Sequence, residues 1–201
     1  MFEGAWQIPK IPELRNRLLV MCALLAVYRF GVFIPTPGIN TSLFTEQVQQ
    51  NKDTLFGLYN MFSGGALEQF SIFTLGIMPY ISSSIIIQLM TVVVPALERL
   101  KKEGEAGQQK ITQYTRYGTI LICMVQGFAI AYGLENMLGS DGNPVVGDDD
   151  RGWGFRLMVV LTLTTGSAFI MWLGERITEW GIGNGISLII MAGIIVMFPD
   201  A

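Results

Sequence analysis

Histidine is absent from this chain of 201 residues, and only two cysteines occur. Without imidazole there is no bis-histidine haem ligation, no usual zinc site, and no serine or cysteine nucleophile activated by histidine. A phosphate-binding loop of the GxxxxGK type is missing as well. These absences exclude most enzyme classes, and we expect a protein with no catalytic residues, cofactor or metal site.

Charged residues are also scarce, at 14% of the chain, whereas 51% of the residues are hydrophobic. Crossing a bilayer takes roughly 20 mostly apolar residues. Charge-free stretches of sufficient length lie between Glu68 and Glu98 and over residues 117–134, 157–174 and 181–198. A fifth stretch, 18–34, contains Arg29, whose guanidinium could snorkel to the interface or pair inside the bundle. The sequence therefore predicts an all-α, polytopic membrane helix bundle with five spans.

The charge-free stretches contain no Asp, Glu or Lys, although ion-coupled carriers commonly keep such a group on the ion path. A coupled carrier is disfavoured on this ground.

Basic residues flank one side of the five predicted spans, which by the positive-inside rule is cytoplasmic. This side has Lys10, Arg15, Arg17, Arg99, Lys101, Lys102, Lys110, Arg116 and Arg176, against Lys52, Arg151 and Arg156 on the other, which also collects Asp141, Asp148, Asp149 and Asp150. We expect a cytoplasmic amino-terminal segment over 1–17, a five-span unit over 18–198, and an exoplasmic end over 199–201.

The second span carries Ile77, Ile81, Ser84, Gln88 and Thr91 at spacings of four, three, four and three. These spacings place all five on one helical face, apolar toward the outside and polar toward the cytoplasm. The pattern is compatible with the wall of an aqueous vestibule that narrows to an apolar constriction. It is equally compatible with ordinary helix packing, in which Ser and Thr bond between helices.

Two glycine-rich segments flank this pattern in the chain. Residues 60–67, NMFSGGAL, are too few to span a membrane and predict either a re-entrant piece lodged within the protein or an exposed turn. The fifth span opens with GIGNG at 181–185, followed by Ile186 and Ile190 one turn apart. A second isoleucine pair therefore shares a helical face.

Together these segments resemble the SecY family of protein-conducting channels. The resemblance runs through PTPGIN at 35–40, NMFSGGAL, LGIMPYISSSIIIQL at 75–89, KKEGEAGQQKITQYTRYGT at 101–119 and MWLGERITEWGIGNGISLII at 171–190. In that family, ten spans form two inverted halves around an hourglass pore. The resemblance implies that this five-span sequence is one half and works with a carboxyl-terminal half of the same protein.

Site residues follow from the resemblance, residue by residue. It implies a pore ring of Ile77, Ile81, Ile186 and Ile190. It implies a plug over about 60–70, a short helix that fills the outer funnel. The plug residues are Asn60, Met61, Phe62, Ser63, Gly64, Gly65, Ala66 and Leu67. It implies a lateral gate and vestibule on spans two and three with Ser84, Gln88 and Thr91, and a cytoplasmic partner loop with Lys101, Lys102 and Arg116.

The partners that the resemblance implies are SecE, SecG, SecA or a ribosome, a nascent secretory polypeptide and membrane lipid, in the bacterial inner membrane. Two other functions remain open from the residues alone. A small-solute carrier built from inverted repeats would have a polar pocket at the membrane midplane. An insertion scaffold that only packs helices would have neither a polar pocket nor an apolar ring.

Overall fold

Helices make up most of the computed structural model, which describes residues 12–39, 41–50, 55–137, 144–147 and 151–197. The helices in these residues are α1 (Pro12–Val32), α2 (Thr41–Gln50), α3 (Leu55–Phe62), α4 (Met78–Val93), α5 (Pro95–Lys102), α6 (Glu105–Glu135), α7 (Trp153–Trp180) and α8 (Gly185–Met197). The predicted all-α bundle is confirmed. The predictions for residues 1–11, Asn40, Lys52, Asp141, 148–150 and 198–201 lie outside the described residues.

Two helices, α6 and α7, are long and apolar enough to cross a membrane by themselves. The pair α4 and α5 would form a third span only as a broken one, because the two helices meet at an angle of 99°. α8 is apolar but has 13 residues, and α1 has 21 with Arg29 in its last turn. Five crossings thus stay a prediction.

The break between α4 and α5 has a local cause. Val94 has an extended backbone, with φ −98° and ψ 113°, and Pro95 follows it. A residue before proline is pushed out of the helical region by a clash with the proline ring. At the other end of α4, Pro79 lies in the first turn, where proline needs no hydrogen-bond partner. Pro79 therefore starts the helix and leaves it unbent.

The long helices α6 and α7 pack against each other and are joined by ion pairs at two separate points along α6. Arg116, three turns into α6, binds Glu175 through two hydrogen bonds of 2.8 Å. At the carboxyl end of α6, Glu135 lies 2.6 Å from Arg156 and also accepts a hydrogen bond from the Gly152 amide. A paired two-point contact of this kind fixes the orientation of the helices as well as their separation.

Helix α4 packs on the other side of α6 through small residues. The Ser83 hydroxyl donates a hydrogen bond of 2.8 Å to the Thr115 carbonyl, and Gly118 leaves the space that the serine occupies. The opposite face of α4 remains exposed. It carries Ile85, Ile86, Leu89, Met90, Val92 and Val93. α4 thus has one face packed on this bundle and a broad apolar face without cover from the described residues.

A non-helical segment, residues 63–77, runs through the middle of the bundle. Its buried side chains belong to two apolar clusters. The first contains Ala66, Phe73 and Ile77 of the segment, together with Tyr28, Val32, Ile170, Leu173, Ile177 and Ile189. The second contains Leu67, Phe70 and Leu75 of the segment, together with Phe44, Val48, Cys123, Ala131, Leu134, Val145, Val146, Phe155, Val159 and Leu163. The segment therefore connects the two cores of the fold.

Glycines let the helices approach this segment closely. A Cβ added to Gly166 on α7 would collide with the backbone carbonyl of Ile72, and one added to Gly31 on α1 would collide with the Phe73 ring. The first collision involves backbone, which cannot rotate away. Gly133 on α6 has open space where a Cβ would be.

Alanine at Gly166 should therefore destabilise the fold, whereas alanine at Gly133 should not. We expect Gly166→Ala to lower the free energy of unfolding by about 1–3 kcal/mol through overpacking. Gly133→Ala should raise it by about 0.5–1 kcal/mol, because alanine is the better helix former. Thermal unfolding of the purified protein in detergent measures both. Equal melting temperatures for the two variants would contradict the close approach of α7 to Ile72.

Candidate pore site

Three of the four predicted ring residues line one small cavity. Ile77 immediately precedes α4, Ile81 is one turn further on, and Ile190 comes from α8. The cavity has a volume of about 100 Å³ and is also lined by Tyr59, Phe62, Ser63, Leu75, Gly76 and Met78. Aliphatic side chains from two helices thus meet at one point, directly beside the predicted plug.

The fourth predicted ring residue, Ile186, is absent from the lining of this cavity. Its Cγ1 atom would lie 3.0 Å from a Cβ added to Gly174, so it packs against α7. Ile186 lies one turn closer to the start of α8 than Ile190 and is half-buried. The structure therefore brings Ile77, Ile81 and Ile190 together and leaves Ile186 on the α7 side.

The GIGNG motif explains how α8 begins so close to α7. Asn184 accepts hydrogen bonds from the amides of Ile186 and Ser187, which caps the helix. A Cβ on Gly185 would collide with the Gly174 carbonyl, and the Gly185 amide bonds to Thr178 at 2.9 Å. The glycine thus allows the contact that places Ile190 at the cavity.

The predicted plug is helical only over its first three residues, which are the end of α3. Gly64 and Gly65 have φ values of 65° and 85°, a left-handed conformation that ends a helix and favours glycine. Asn60 holds the following turn, since its carbonyl accepts from the Gly65 amide and the Ser63 hydroxyl. Its side chain accepts from the Glu68 amide at 3.0 Å. The predicted plug is therefore a compact, internally bonded turn over residues 63–68, called the plug turn below, rather than a continuous helix.

Tyr59 also fixes this turn to the start of α4. Its hydroxyl donates a hydrogen bond of 3.0 Å to the Leu75 carbonyl. Burial raises the pKa of Tyr59 to about 12, so the hydroxyl keeps its proton and acts as a donor. This bond therefore fixes the end of α3 relative to Leu75, two residues before the predicted ring residue Ile77.

Residues of α1 and α8 contact the plug turn. Tyr28 donates to the Ser63 carbonyl at 3.2 Å, and Arg29 donates to the Gly64 carbonyl at 2.6 Å. A Cβ on Gly64 would lie 3.0 Å from Cα of Gly193 on α8. Arg29 therefore faces the bundle interior and pairs there, one of the two placements that the sequence allowed.

The predicted gate and vestibule residues occupy different environments along α4. Ser84 and Gln88 lie on one face and share a side-chain hydrogen bond of 3.2 Å, and Gln88 is exposed. Thr91 is buried and donates to the Gln88 carbonyl at 2.6 Å. Two polar residues are thus available to line an aqueous space, whereas the hydroxyl of Thr91 is used within the helix.

The three predicted partner-loop residues do not form one surface patch. Lys101 and Lys102 lie in the last turn of α5, where Lys102 pairs with Glu98 at 2.6 Å. Arg116 lies three turns along α6 and is held by Glu175. Lys101 and Lys102 remain together on an exposed helix end.

Sequence reasoning did not identify Tyr28, Tyr59 and Gly193 as parts of the site. Tyr28 and Gly193 contact the plug turn across long separations in the chain, and Tyr59 bonds to Leu75 16 residues further on. Periodicity within one helix gives no signal for such contacts. The one usable signal was Arg29, because a charge within an apolar run requires a partner.

Comparison with known proteins gives the family. A SecY family model matches residues 71–201. The chain is 54% identical over 192 residues to the protein translocase subunit SecY of Buchnera aphidicola subsp. Acyrthosiphon kondoi. This alignment covers 94% of the present chain and 52% of that relative. The chain is 53% identical over 189 residues to the same subunit of Escherichia coli K12. That alignment covers 94% of the present chain and 42% of the relative. The chain thus spans about half the length of these relatives.

A solved structure described as that of a protein conducting channel has the same fold. It superposes with a TM-score of 0.62 at 18% identity, over 89% of this chain and 36% of the other. The identity is low enough that this likeness concerns the fold alone. With the family match over more than half of its residues, the chain belongs to the SecY family.

Proposed function

We propose that this chain forms one half of a protein-conducting channel, which passes unfolded secretory polypeptides across the bacterial inner membrane. The observation that carries the proposal is the small apolar cavity where Ile77, Ile81 and Ile190 meet the plug residues Phe62 and Ser63. Two relatives that are 54% and 53% identical to this chain over the aligned residues are named protein translocase subunits. The other half of the channel is a carboxyl-terminal half of the same protein.

An aliphatic ring suits a channel for chains of any sequence. Isoleucine side chains offer neither hydrogen bonds nor charge, so a passing peptide meets no site that retains it. The same side chains make a constriction that water leaves readily, which blocks ions when no peptide is present. A small-solute carrier would instead need a polar pocket, whereas isoleucine, leucine, methionine and phenylalanine predominate around this cavity.

The plug turn occupies the position of a stopper in the idle channel. Ser63 and Ala66 are buried, and Phe62 lies against the same cavity as the ring. The turn contacts α8 where the backbones of Gly64 and Gly193 meet.

Release into lipid would take place beside α4 and α6. These helices are joined through Ser83 and Thr115, so they move as a pair. The exposed apolar face of α4 is available to pack against the other half and to separate from it. Sorting is then a partition equilibrium, at about −0.3 to −0.6 kcal/mol per central Leu or Ile against +2.5 to +3.5 per charge.

SecE, SecG and either SecA or a ribosome complete the proposed complex, with the amino terminus of this chain in the cytoplasm. The basic end of α5 supports this orientation through the positive-inside rule. Lys101 and Lys102 are the better candidates for contact with a motor or ribosome, because they lie on an exposed helix end. Arg116 already donates hydrogen bonds from Nε and Nη2 to the Glu175 carboxylate.

Photo-crosslinking tests the pore wall directly. With a photoreactive residue at Ile81 or Ile190, in the complete membrane complex holding a stalled secretory chain, we expect crosslinks to the nascent chain. Ile189 is the matched control, because it neighbours Ile190 but is buried in the apolar core. Its crosslinks should go to α7. The absence of nascent-chain crosslinks from both Ile81 and Ile190 would refute the proposal.

Ion conductance tests the seal. We expect Ile81→Asn to raise the conductance of the idle complex in planar bilayers several-fold, because an amide side chain stabilises water in the constriction. Ile85→Asn is the control, since the same substitution on the exposed face of α4 leaves the cavity unchanged. Equal conductance for the two variants would contradict a seal at Ile81.

A further inference from the structure

Consecutive residues of α1 donate hydrogen bonds to consecutive carbonyls of the plug turn. The Arg29 Nη1 atom lies 2.6 Å from the Gly64 oxygen, and the Tyr28 hydroxyl lies 3.2 Å from the Ser63 oxygen. A hydrogen bond from a charged donor at this distance is among the stronger ones in proteins. It provides a partner for an arginine that lies within an apolar stretch.

The two accepting carbonyls, of Ser63 and Gly64, follow directly after the end of α3. The carboxyl end of a helix carries partial negative charge that favours a nearby cation such as Arg29. The left-handed conformations of Gly64 and Gly65 fold the chain back after α3. The guanidinium also lies 5.1 Å from the centre of the Phe33 ring, which shields it on one side.

The far end of the turn has a separate anchor. Glu68 accepts hydrogen bonds from Thr45 at its carbonyl, 2.8 Å, and from Gln49 at its carboxylate, 2.9 Å, both on α2. Asn60 also contacts this carboxylate, at 3.3 Å. The turn is thus anchored at Glu68, and its front, at Ser63 and Gly64, meets the Gly193 backbone and accepts the hydrogen bonds from α1.

We propose that Arg29, assisted by Tyr28, is a latch that holds the plug turn closed, and that the turn pivots about the Glu68 anchor when the latch is released. The inference rests on the proposed channel function and names the positioning residue for its closed state. Because α1 also packs on α7 and α8, a shift of α1 away from α8 would withdraw the guanidinium from Gly64 and free the turn.

Thiol labelling of the idle complex measures the latch. In the full-length protein with its partner subunits and with Cys22→Ser and Cys123→Ala, a cysteine at the fully buried Ala66 reports opening of the turn. Arg29→Met keeps the length of the side chain without a donor, and we expect it to raise the maleimide labelling rate about tenfold or more. Arg29→Lys keeps one charged donor and should restore most of the slow rate. Tyr28→Phe should have a smaller effect than Arg29→Met.

Ala131→Cys is the matched control, since Ala131 is equally buried but lies on α6, away from the turn. Its labelling should stay slow in every variant. The proposal is overturned if Arg29→Met leaves labelling at Ala66→Cys unchanged, if labelling there is fast before Arg29 is altered, or if both cysteines become reactive together. If Ala66→Cys does not assemble, Ser63→Cys, a nearly isosteric change in the same buried turn, replaces it with the same expectations.

This labelling needs no translocating substrate, so it separates the latch from the proposed function. If labelling depends on Arg29 as expected but neither Ile81 nor Ile190 crosslinks to a nascent chain, the proposed channel function is refuted and the latch is not. If both positions crosslink but the labelling rate does not depend on Arg29, the latch is refuted and the channel function is not.

Discussion

Non-helical backbone within a membrane protein must find its hydrogen-bond partners inside the protein, because the surrounding lipid offers none. The segment 63–77 is such a piece, and most of the bundle is arranged around satisfying it. On either side of the Pro35–Ser71 bridge, the Thr36 amide donates to the Phe70 carbonyl and the Ile72 amide donates to the Ile34 carbonyl. The Thr74 hydroxyl bonds to two carbonyls within the segment, and α1, α2 and α3 supply donors from outside it.

This constraint also builds the site. A segment that must be enclosed draws α1 and α7 against it, which requires glycine at Gly31 and Gly166. It ends at Ile77, so this predicted ring residue has its position set by the same segment that contains the predicted plug. Because α8 contacts the turn through Gly193 and begins against α7 at Gly185, Ile190 reaches the same cavity. The predicted plug, the three isoleucines and the enclosing helices are therefore one packing unit.

Apolar runs and helical spacing predicted the helices and the shared face of Ile77 and Ile81, because both signals depend on local geometry. Only the resemblance to the SecY family implied that Ile190 lies near them. The sequence did not predict that Ile186 packs on Gly174, since a shared helical face does not say which neighbour each turn meets. The plug turn was expected as a helix, but left-handed Gly64 and Gly65 end α3 there. The Arg116–Glu175 pair joins residues distant in the chain, which pattern reasoning cannot bring together.

Hydrogen–deuterium exchange of the amides between Ser63 and Ile77, in the idle complex in lipid nanodiscs, tests the central claim most directly. Enclosed and bonded amides exchange only when the surrounding structure opens. The account predicts protection of Gly65, Ser71 and Gly76, whose amides all have carbonyl partners, at levels approaching those of α6 and α7. Exchange of this segment at the rate of an unstructured peptide would contradict it, because the plug and ring would then have no fixed support.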